Sequence, residues 1–244
     1  KRLSHYKDTE DLYRFTNKFK IDSSIKIVVI GDGRVAQGAV ELLESFNIRK
    51  VGVDDYINKK FNGPCFCQLS VTDYIKKKDK KPFKQEEYFS NPEAFQSNFD
   101  MFSDKTDILI NAAYWDPRSP RLFEEDDVNE NFKPKIIGDI SCDINGAIPC
   151  TKIASTIEKP FFDYCIKTKK IEEPFNKEDN ITIMSIDNLP SELPRDSSRY
   201  FGNILVEKIL PLLSLEGNEI IENTTITKNG ELTEKFKYLS DYIV

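Results

Sequence analysis

Ile25-Lys-Ile-Val-Val-Ile30, followed at once by Gly31-Asp-Gly33-Arg-Val-Ala36-Gln-Gly38, is an apolar run that meets a glycine turn and then opens a helix. The run has the length and β-branched content of a buried strand, and apolar residues recur at helical spacing from about Val35 to Phe46. In such a unit Gly31 permits a tight turn, and Gly33 omits the side chain that would hold a pyrophosphate away. Ala36 lets the helix lie close to the strand. Amides at the helix start then face an anion. Gly31, Asp32, Gly33, Arg34 and Val35 are therefore read as a dinucleotide floor, with a purely structural strand-to-helix turn as the alternative.

Working outward, residues 50–53 read as a short second strand ending at Asp54-Asp55, and residues 65–69 as a third. Residues 106–110, 135–140 and 181–186 are further buried-looking strands. Helices are expected over about 9–19, over 92–102 with Phe95, Phe99 and Phe102 on one face, and over about 197–213. The basic run at 76–84 reads as a solvated loop in preference to a grip for an anionic partner. Apolar strands spaced by helical segments indicate a parallel sheet covered on both faces. The expected fold is α/β, a doubly wound Rossmann-type sheet spanning 22–190. Helical segments at 1–21 and 191–244 are expected to pack against a substrate domain largely absent from this chain.

Composition bounds the partners. The 244 residues are 39% apolar and 31% charged, as in an ordinary globular protein, and the longest clean apolar run falls far short of the roughly 20 residues of a membrane span. No membrane role is expected, and a net charge of −6 argues against nucleic acid. The five cysteines, Cys65, Cys67, Cys142, Cys150 and Cys165, fit reduced thiols better than metal ligands, so no metal is expected. With no secretory leader, an intracellular setting follows, the cytosol favoured and the mitochondrial matrix left open. The single histidine, His5, leaves acid–base chemistry inside the chain to carboxylates, Lys, Tyr or Cys. A first residue of Lys1 suggests a processed chain or part of a longer one.

Ligands in doubly wound sheets lie outside the carboxyl ends of the strands. Asp54, 23 positions beyond Gly31, stands where an acid accepts hydrogen bonds from an adenosine ribose; that favours NAD over NADP, although Asp55 competes for the role. The stretch Asp139-Ile-Ser-Cys-Asp143-Ile-Asn-Gly146 puts two acids beside a strand end. A carboxylate there would bind a nicotinamide ribose or orient a proton-transfer group, or else the stretch is an Asx turn.

Five ordered motifs carry a resemblance. They are Asn111-Ala-Ala-Tyr-Trp-Asp-Pro-Arg-Ser-Pro-Arg-Leu122, Asp139-Ile-Ser-Cys-Asp-Ile-Asn-Gly-Ala-Ile148, Ser155-Thr-Ile-Glu-Lys-Pro-Phe161, Ser185-Ile-Asp-Asn-Leu-Pro-Ser-Glu-Leu-Pro-Arg-Asp-Ser-Ser198 and Thr227-Lys-Asn-Gly-Glu-Leu-Thr-Glu-Lys-Phe-Lys-Tyr238. From about Ile25 onward the chain resembles the lysine–ketoglutarate reductase and saccharopine dehydrogenase group of the alanine dehydrogenase and transhydrogenase superfamily. The resemblance implies a two-domain oxidoreductase that uses NAD or NADP to join lysine and 2-oxoglutarate into saccharopine, or to run the reverse. It implies that Gly31 to Val35 hold the pyrophosphate and that Ala112, Ala113 and Tyr114 line the adenosine and ribose side. Asp143 matches an active-site aspartate beside the nicotinamide, with Asp139, Ile140, Ser141 and Cys142 leading into it. Ile186, Asp187, Asn188 and Leu189 match a loop bordering the nicotinamide.

The chain departs from that group in one respect. There the substrate domain mostly precedes the cofactor domain and contributes a lysine and a histidine; here too few residues precede Ile25, and His5 lies too near Gly31 to match. The expectation is a cofactor-binding half whose N-terminal partner domain lies on the same or a separate chain. The alternative is a dinucleotide-binding regulatory or companion module without catalysis, and a methyltransferase fits the later motifs less well. Oligomeric state is left open.

Overall fold

β1 (Lys26–Ile30) is a central strand because its last four residues are apolar and β-branched, so that both faces can be covered. Val28 and Ile30 pack on one side with Cys67, Leu109, Ile137 and Phe99, while Ile27 and Val29 pack on the other with Ala36, Val40 and Leu43. In this computed structural model the described residues are 2–16, 18, 19, 21, 24–215 and 217–242. They fall into two units, Lys1–Leu193 and Pro194–Val244.

In the first unit α1 (Thr9–Thr16) precedes β1, and α2 (Arg34–Ser45) follows it. Then come β2 (Arg49–Lys50), α3 (Val53–Asn58), β3 (Cys65–Leu69), α4 (Val71–Tyr74) and β4 (Ile75–Lys77). After α5 (Gln85–Ser90), β5 (Phe95–Ser97) and α6 (Asp100–Ser103), the sheet resumes with β6 (Ile108–Asn111), β7 (Ile136–Asp139), β8 (Phe161–Cys165), β9 (Lys170–Glu172) and β10 (Ile181–Met184). The order β2-β3-β1-β6-β7-β10-β8-β9 is parallel from β2 to β10. β8 then pairs antiparallel with β10, and β9 antiparallel with β8. The mostly parallel α/β sheet is the expected fold class, and β3, β6, β7 and β10 lie where apolar runs placed them.

Four expectations are corrected. The second strand ends at Lys50, and Val53 already begins α3, whose N-terminal acids Asp54 and Asp55 favour a helix start. Residues 92–102 are not one helix: a 3₁₀ turn at Pro92–Ala94 leads into β5, which pairs antiparallel with β4, before α6. Phe95, Phe99 and Phe102 are all buried as their spacing demanded, but Phe95 from β5 and Phe99 and Phe102 from the start and body of α6. The same pairing turns the start of the basic run into strand, with Lys77 bonded to Glu87 at 2.5 Å. The first helix stops at Thr16; the expected remainder includes Asn17, outside the described residues. Residues 2–16 pack on this unit, with Leu12 buried and Arg2 donating to the carbonyl of Glu158 at 2.7 Å.

β8 and β9 were not expected. β8 carries a fully buried carboxylate, Asp163, which accepts from the Thr182 hydroxyl at 2.7 Å and from the amides of Phe175 and Asn176 at 3.1 and 3.2 Å. It thereby ties β8 to β10 and to the loop after β9. Removing it strands buried donors, so Asp163→Ala is expected to cost about 3 kcal/mol in chemical denaturation. A loss below about 0.5 kcal/mol, the size of an ordinary surface change, would contradict the structural role.

In the second unit α7 (Pro194–Ile204) runs through a π-helical stretch, Leu205–Ile209, into α8 (Leu210–Leu213). The cause is Pro211, which lacks an amide and whose ring would strike the carbonyl four residues back, so the turn widens. α9 (Glu219–Thr224) is capped by the Asn218 side chain, which accepts from the amides of Ile220 and Ile221. β11 (Thr227–Lys228) and β12 (Glu231–Leu232) form a hairpin whose turn residues, Asn229 and Gly230, both have positive φ, matching strand twist. Among the described residues no helix is long and apolar enough to cross a membrane.

Candidate functional site

The parallel strands β3, β1, β6, β7 and β10 point their carboxyl ends to one edge of the sheet, so the loops after β1, β6, β7 and β10 converge there. The loop after β1 is fixed by its backbone. The Gly31 amide donates to the carbonyl of Leu69 at 2.9 Å, and Gln68 Nε2 donates to the Gly31 carbonyl at 3.1 Å. Gly31 adopts φ +104°, and a Cβ on it would stand 3.1 Å from the Ala112 carbonyl oxygen. The turn therefore lies directly on the loop after β6, which only glycine permits. Among the described residues no side chain caps the first amides of α2 at Gly33, and a Cβ there would meet none of their atoms within 4 Å. The result is a twelve-residue helix with a bare N-terminus opening on free space, with exposed Asp32, Arg34 and Val35 around it. Oriented amides and the helix dipole favour an anion at such a place, so the geometry fits the pyrophosphate of a dinucleotide.

After β6, Ala112 donates its amide to the carbonyl of Ile30 at 3.0 Å, and with Ala113 forms a low floor beside Gly31. Tyr114 stands out, 90% exposed, beside the half-buried Trp115. Asn111 is buried at the strand end and donates through Nδ2 to Asp139 at 2.9 Å and to the Ser141 hydroxyl at 2.8 Å.

Asp139 is 1% exposed, and its carboxylate also accepts from Thr151 Oγ1 at 2.6 Å. Its side chain is thus a support beneath the site, a correction to its reading as a ligand contact: it is buried and both its oxygens accept from protein donors, Asn111 and Ser141 on one and Thr151 on the other. Burial pushes its carboxyl up from the usual range, partly offset by the donors from Thr151, Asn111 and Ser141. The folded chain therefore keeps this proton to higher pH than the unfolded chain, so stability falls as pH rises through that window. Asp139→Asn, which keeps an oxygen for Asn111 and turns its amide to the Thr151 hydroxyl, is expected to flatten that fall in denaturation curves taken across acidic pH. An unchanged slope would contradict it.

Beyond β7, the Ile140 amide donates to the Asn111 carbonyl at 2.9 Å. Cys142 adopts φ +55°, which turns the chain sharply, and its thiol donates to the carbonyl of Ser185 at 3.0 Å. That bond joins the loops after β7 and β10. Asp143 is half-buried, and burial, with Asp139 nearby, raises its carboxyl above the ordinary range. The loop after β10 holds exposed Asp187 and Asn188 and half-buried Leu189; Ile186 is 3% exposed, so its side chain belongs to the core and only its backbone borders the crevice. The structure thus brings Gly31 to Val35, Ala112 to Tyr114, Ser141 to Asp143 and Asp187 to Leu189 to one edge.

Asp54 is not among them. The spacing argument assumes that the strand after α2 lies beside β1, but β3 occupies that place. β2 pairs only with Cys65 and Phe66, the first residues of β3. α3 then brings Tyr56 against Lys26 and Thr106, at the amino ends of β1 and next to β6. Asp54 therefore opens a helix that leads away from the ligand edge. At the end of β3 the first acid is Asp73, and it is bonded to the amide and hydroxyl of Ser70 as a helix cap. The ground for preferring NAD over NADP is removed.

Sequence reasoning missed Asn111's side-chain role, Thr151, Arg121 and Lys152. Asn111 and Arg121 lay inside a quoted motif, but nothing in the sequence showed what their side chains reach. Among the described residues no group of acids, cysteines and histidines is placed to hold a metal ion.

Residues 16–237 match the family model described as Alanine dehydrogenase/PNT, C-terminal domain. Mitochondrial alpha-aminoadipic semialdehyde synthase of Mus musculus is 29% identical across 88% of this chain and 27% of its own length. The Arabidopsis thaliana alpha-aminoadipic semialdehyde synthase is 29% identical across 71% of the chain and 17% of that protein. The NAD(+), L-lysine-forming saccharopine dehydrogenase of Schizosaccharomyces pombe is 28% identical across 46% of the chain and 29% of that protein. The chain spans about a quarter of the length of the mouse relative.

Proposed function

The chain belongs to the alanine dehydrogenase/PNT C-terminal domain family, and on that premise we propose that it is the cofactor-holding part of an NAD(P)-dependent oxidoreductase of lysine metabolism, one that forms or oxidises saccharopine. The observation that carries this reading is the bare N-terminus of α2 behind Gly31, with Asp143 presented at the same sheet edge. When bound, the cofactor supplies the hydride chemistry. The chain's own residues bind and orient: amides at Gly33 to Val35 receive the pyrophosphate, and Ala112, Ala113 and Tyr114 border the adenosine side. Ser141 to Asp143 and Asp187 to Leu189 border the nicotinamide. Asp143, whose carboxyl is raised above its ordinary range by burial and by nearby Asp139, is the chain's own group for holding a proton beside the nicotinamide.

The substrates lysine and 2-oxoglutarate, and saccharopine as product, come from the likeness to the relatives above. The lysine and histidine that complete proton transfer are assigned to a substrate domain supplied by the same longer protein or by a separate chain. The compartment we propose is intracellular, the cytosol or the mitochondrial matrix; the mouse relative is mitochondrial. The test combines the complete protein with lysine, 2-oxoglutarate and NADH or NADPH and follows nicotinamide absorbance. Consumption that requires both carbon substrates is expected, and is expected to vanish in the isolated chain. A full rate from this chain alone would overturn the division of labour, and no rate from the complete protein would overturn the substrate assignment.

A further inference from the structure

Asp143 sits in a tight turn: the Gly146 amide donates back to the Asp143 carbonyl at 2.8 Å, and the Asn145 amide donates to the Thr151 carbonyl at 2.8 Å. Asn145 itself adopts φ +53°, the left-handed region that Asn visits more readily than most L residues. Two cations bond to it, and they come from opposite sides in sequence. Arg121 donates from NH2 to the Asn145 main-chain carbonyl at 3.1 Å, and Lys152 Nζ donates to Asn145 Oδ1 at 2.9 Å. Lys152 is in turn anchored, paired with Glu125 at 2.8 Å, while the same carboxylate oxygen accepts from the hydroxyl of fully buried Tyr164 at 2.6 Å.

We infer that Arg121 and Lys152 are positioning residues that clamp Asn145 and thereby set where the Asp143 carboxylate stands. The role given to Asp143 rests on the function proposed above. Arg121 likewise pairs with an acid, Glu124, at 3.1 Å, so each cation is held by a carboxylate while it bonds Asn145. The arrangement links a strand in the sheet, through Tyr164 and Glu125, to the loop after β7. Displacing a reacting group by about 1 Å can cost on the order of 10²-fold in rate, so a loosened turn is felt in kcat before it is felt in cofactor binding.

Trp115, the chain's single tryptophan, reports on this turn, because its ring edge lies against Gly146: a Cβ on Gly146 would stand 3.2 Å from Trp115 Cε3. The experiment compares the wild-type chain with Lys152→Met, which keeps the stem and loses the ammonium, and Lys152→Arg, which keeps the donor. Acrylamide quenching of Trp115 is expected to rise about two-fold in Lys152→Met and to stay at the wild-type level in Lys152→Arg, with calorimetric Kd for NADH or NADPH within about three-fold in both. In the complete enzyme Lys152→Met lowers kcat about ten-fold and Lys152→Arg restores it. Unchanged quenching in Lys152→Met, or equal effects of the two substitutions, overturns the clamp. Quenching needs no ligand, so a wild-type chain that binds neither dinucleotide overturns the proposed function while leaving the clamp measured.

Discussion

Gly31→Ala is expected to lower stability by about 2 kcal/mol, and to weaken dinucleotide binding about thirty-fold because a turn that shifts to relieve the strain no longer presents the helix amides to the pyrophosphate. The backbone at φ +104° is costly for any L side chain, and the added methyl would press on Ala112 O at 3.1 Å and Ala113 Cα at 3.3 Å. Neither can yield cheaply, because Ala112 is held to Ile30 and Gly31 to Leu69 by main-chain bonds. Gly33→Val provides the contrast. Nothing in the protein lies within 4 Å of a Cβ at Gly33, so stability is expected to stay within about 0.5 kcal/mol. Binding is nevertheless expected to fall at least as far, because the side chain stands before the helix amides where the pyrophosphate approaches. Calorimetric titration beside chemical denaturation reads both. A Gly33→Val chain that binds as wild type would show that the helix terminus is not the anion site.

Gly146→Ala is the second large effect, and it acts on catalysis. A methyl there would overlap the Asp143 Cβ and stand 2.9 Å from the Asp143 carbonyl oxygen. Asp143 must move, although its carboxylate is still present. In the complete enzyme kcat is expected to drop about 10²-fold with the cofactor KM little changed, and Asp143→Ala should give a comparable loss. Wild-type turnover in either variant would remove Asp143 from the reaction. A loss confined to KM would move it from the chemistry to cofactor binding.

The strand–turn–helix at Ile25 to Gly38 was legible because its determinants are local: β-branched residues on both faces, glycine at the one left-handed position, and alanine where α2 touches β1. What failed was non-local. Phe95, Phe99 and Phe102 have helical spacing, yet pairing of β5 with β4 overrode it. The 23 positions from Gly31 to Asp54 say nothing about which strand lies beside β1, and here β3 took that place. β8 was hidden by Asp163, an acid that looks solvated until Thr182 and the amides of Phe175 and Asn176 are brought to it. At the site, the quoted motifs lie on the loops that converge, whereas the division between groups that face the crevice and groups that support them needed contacts. Asp139 and Asp143 lie four positions apart in one stretch, and only the structure separates the saturated, buried carboxylate from the half-open one.

If the N-terminus of α2 holds the pyrophosphate of a nicotinamide dinucleotide, isothermal titration of the chain with NADH and with NADPH, beside Gly33→Val, reads it without the substrate domain. Micromolar binding of at least one cofactor, lost in the variant, is the predicted result; no heat from either cofactor with the wild-type chain would contradict it.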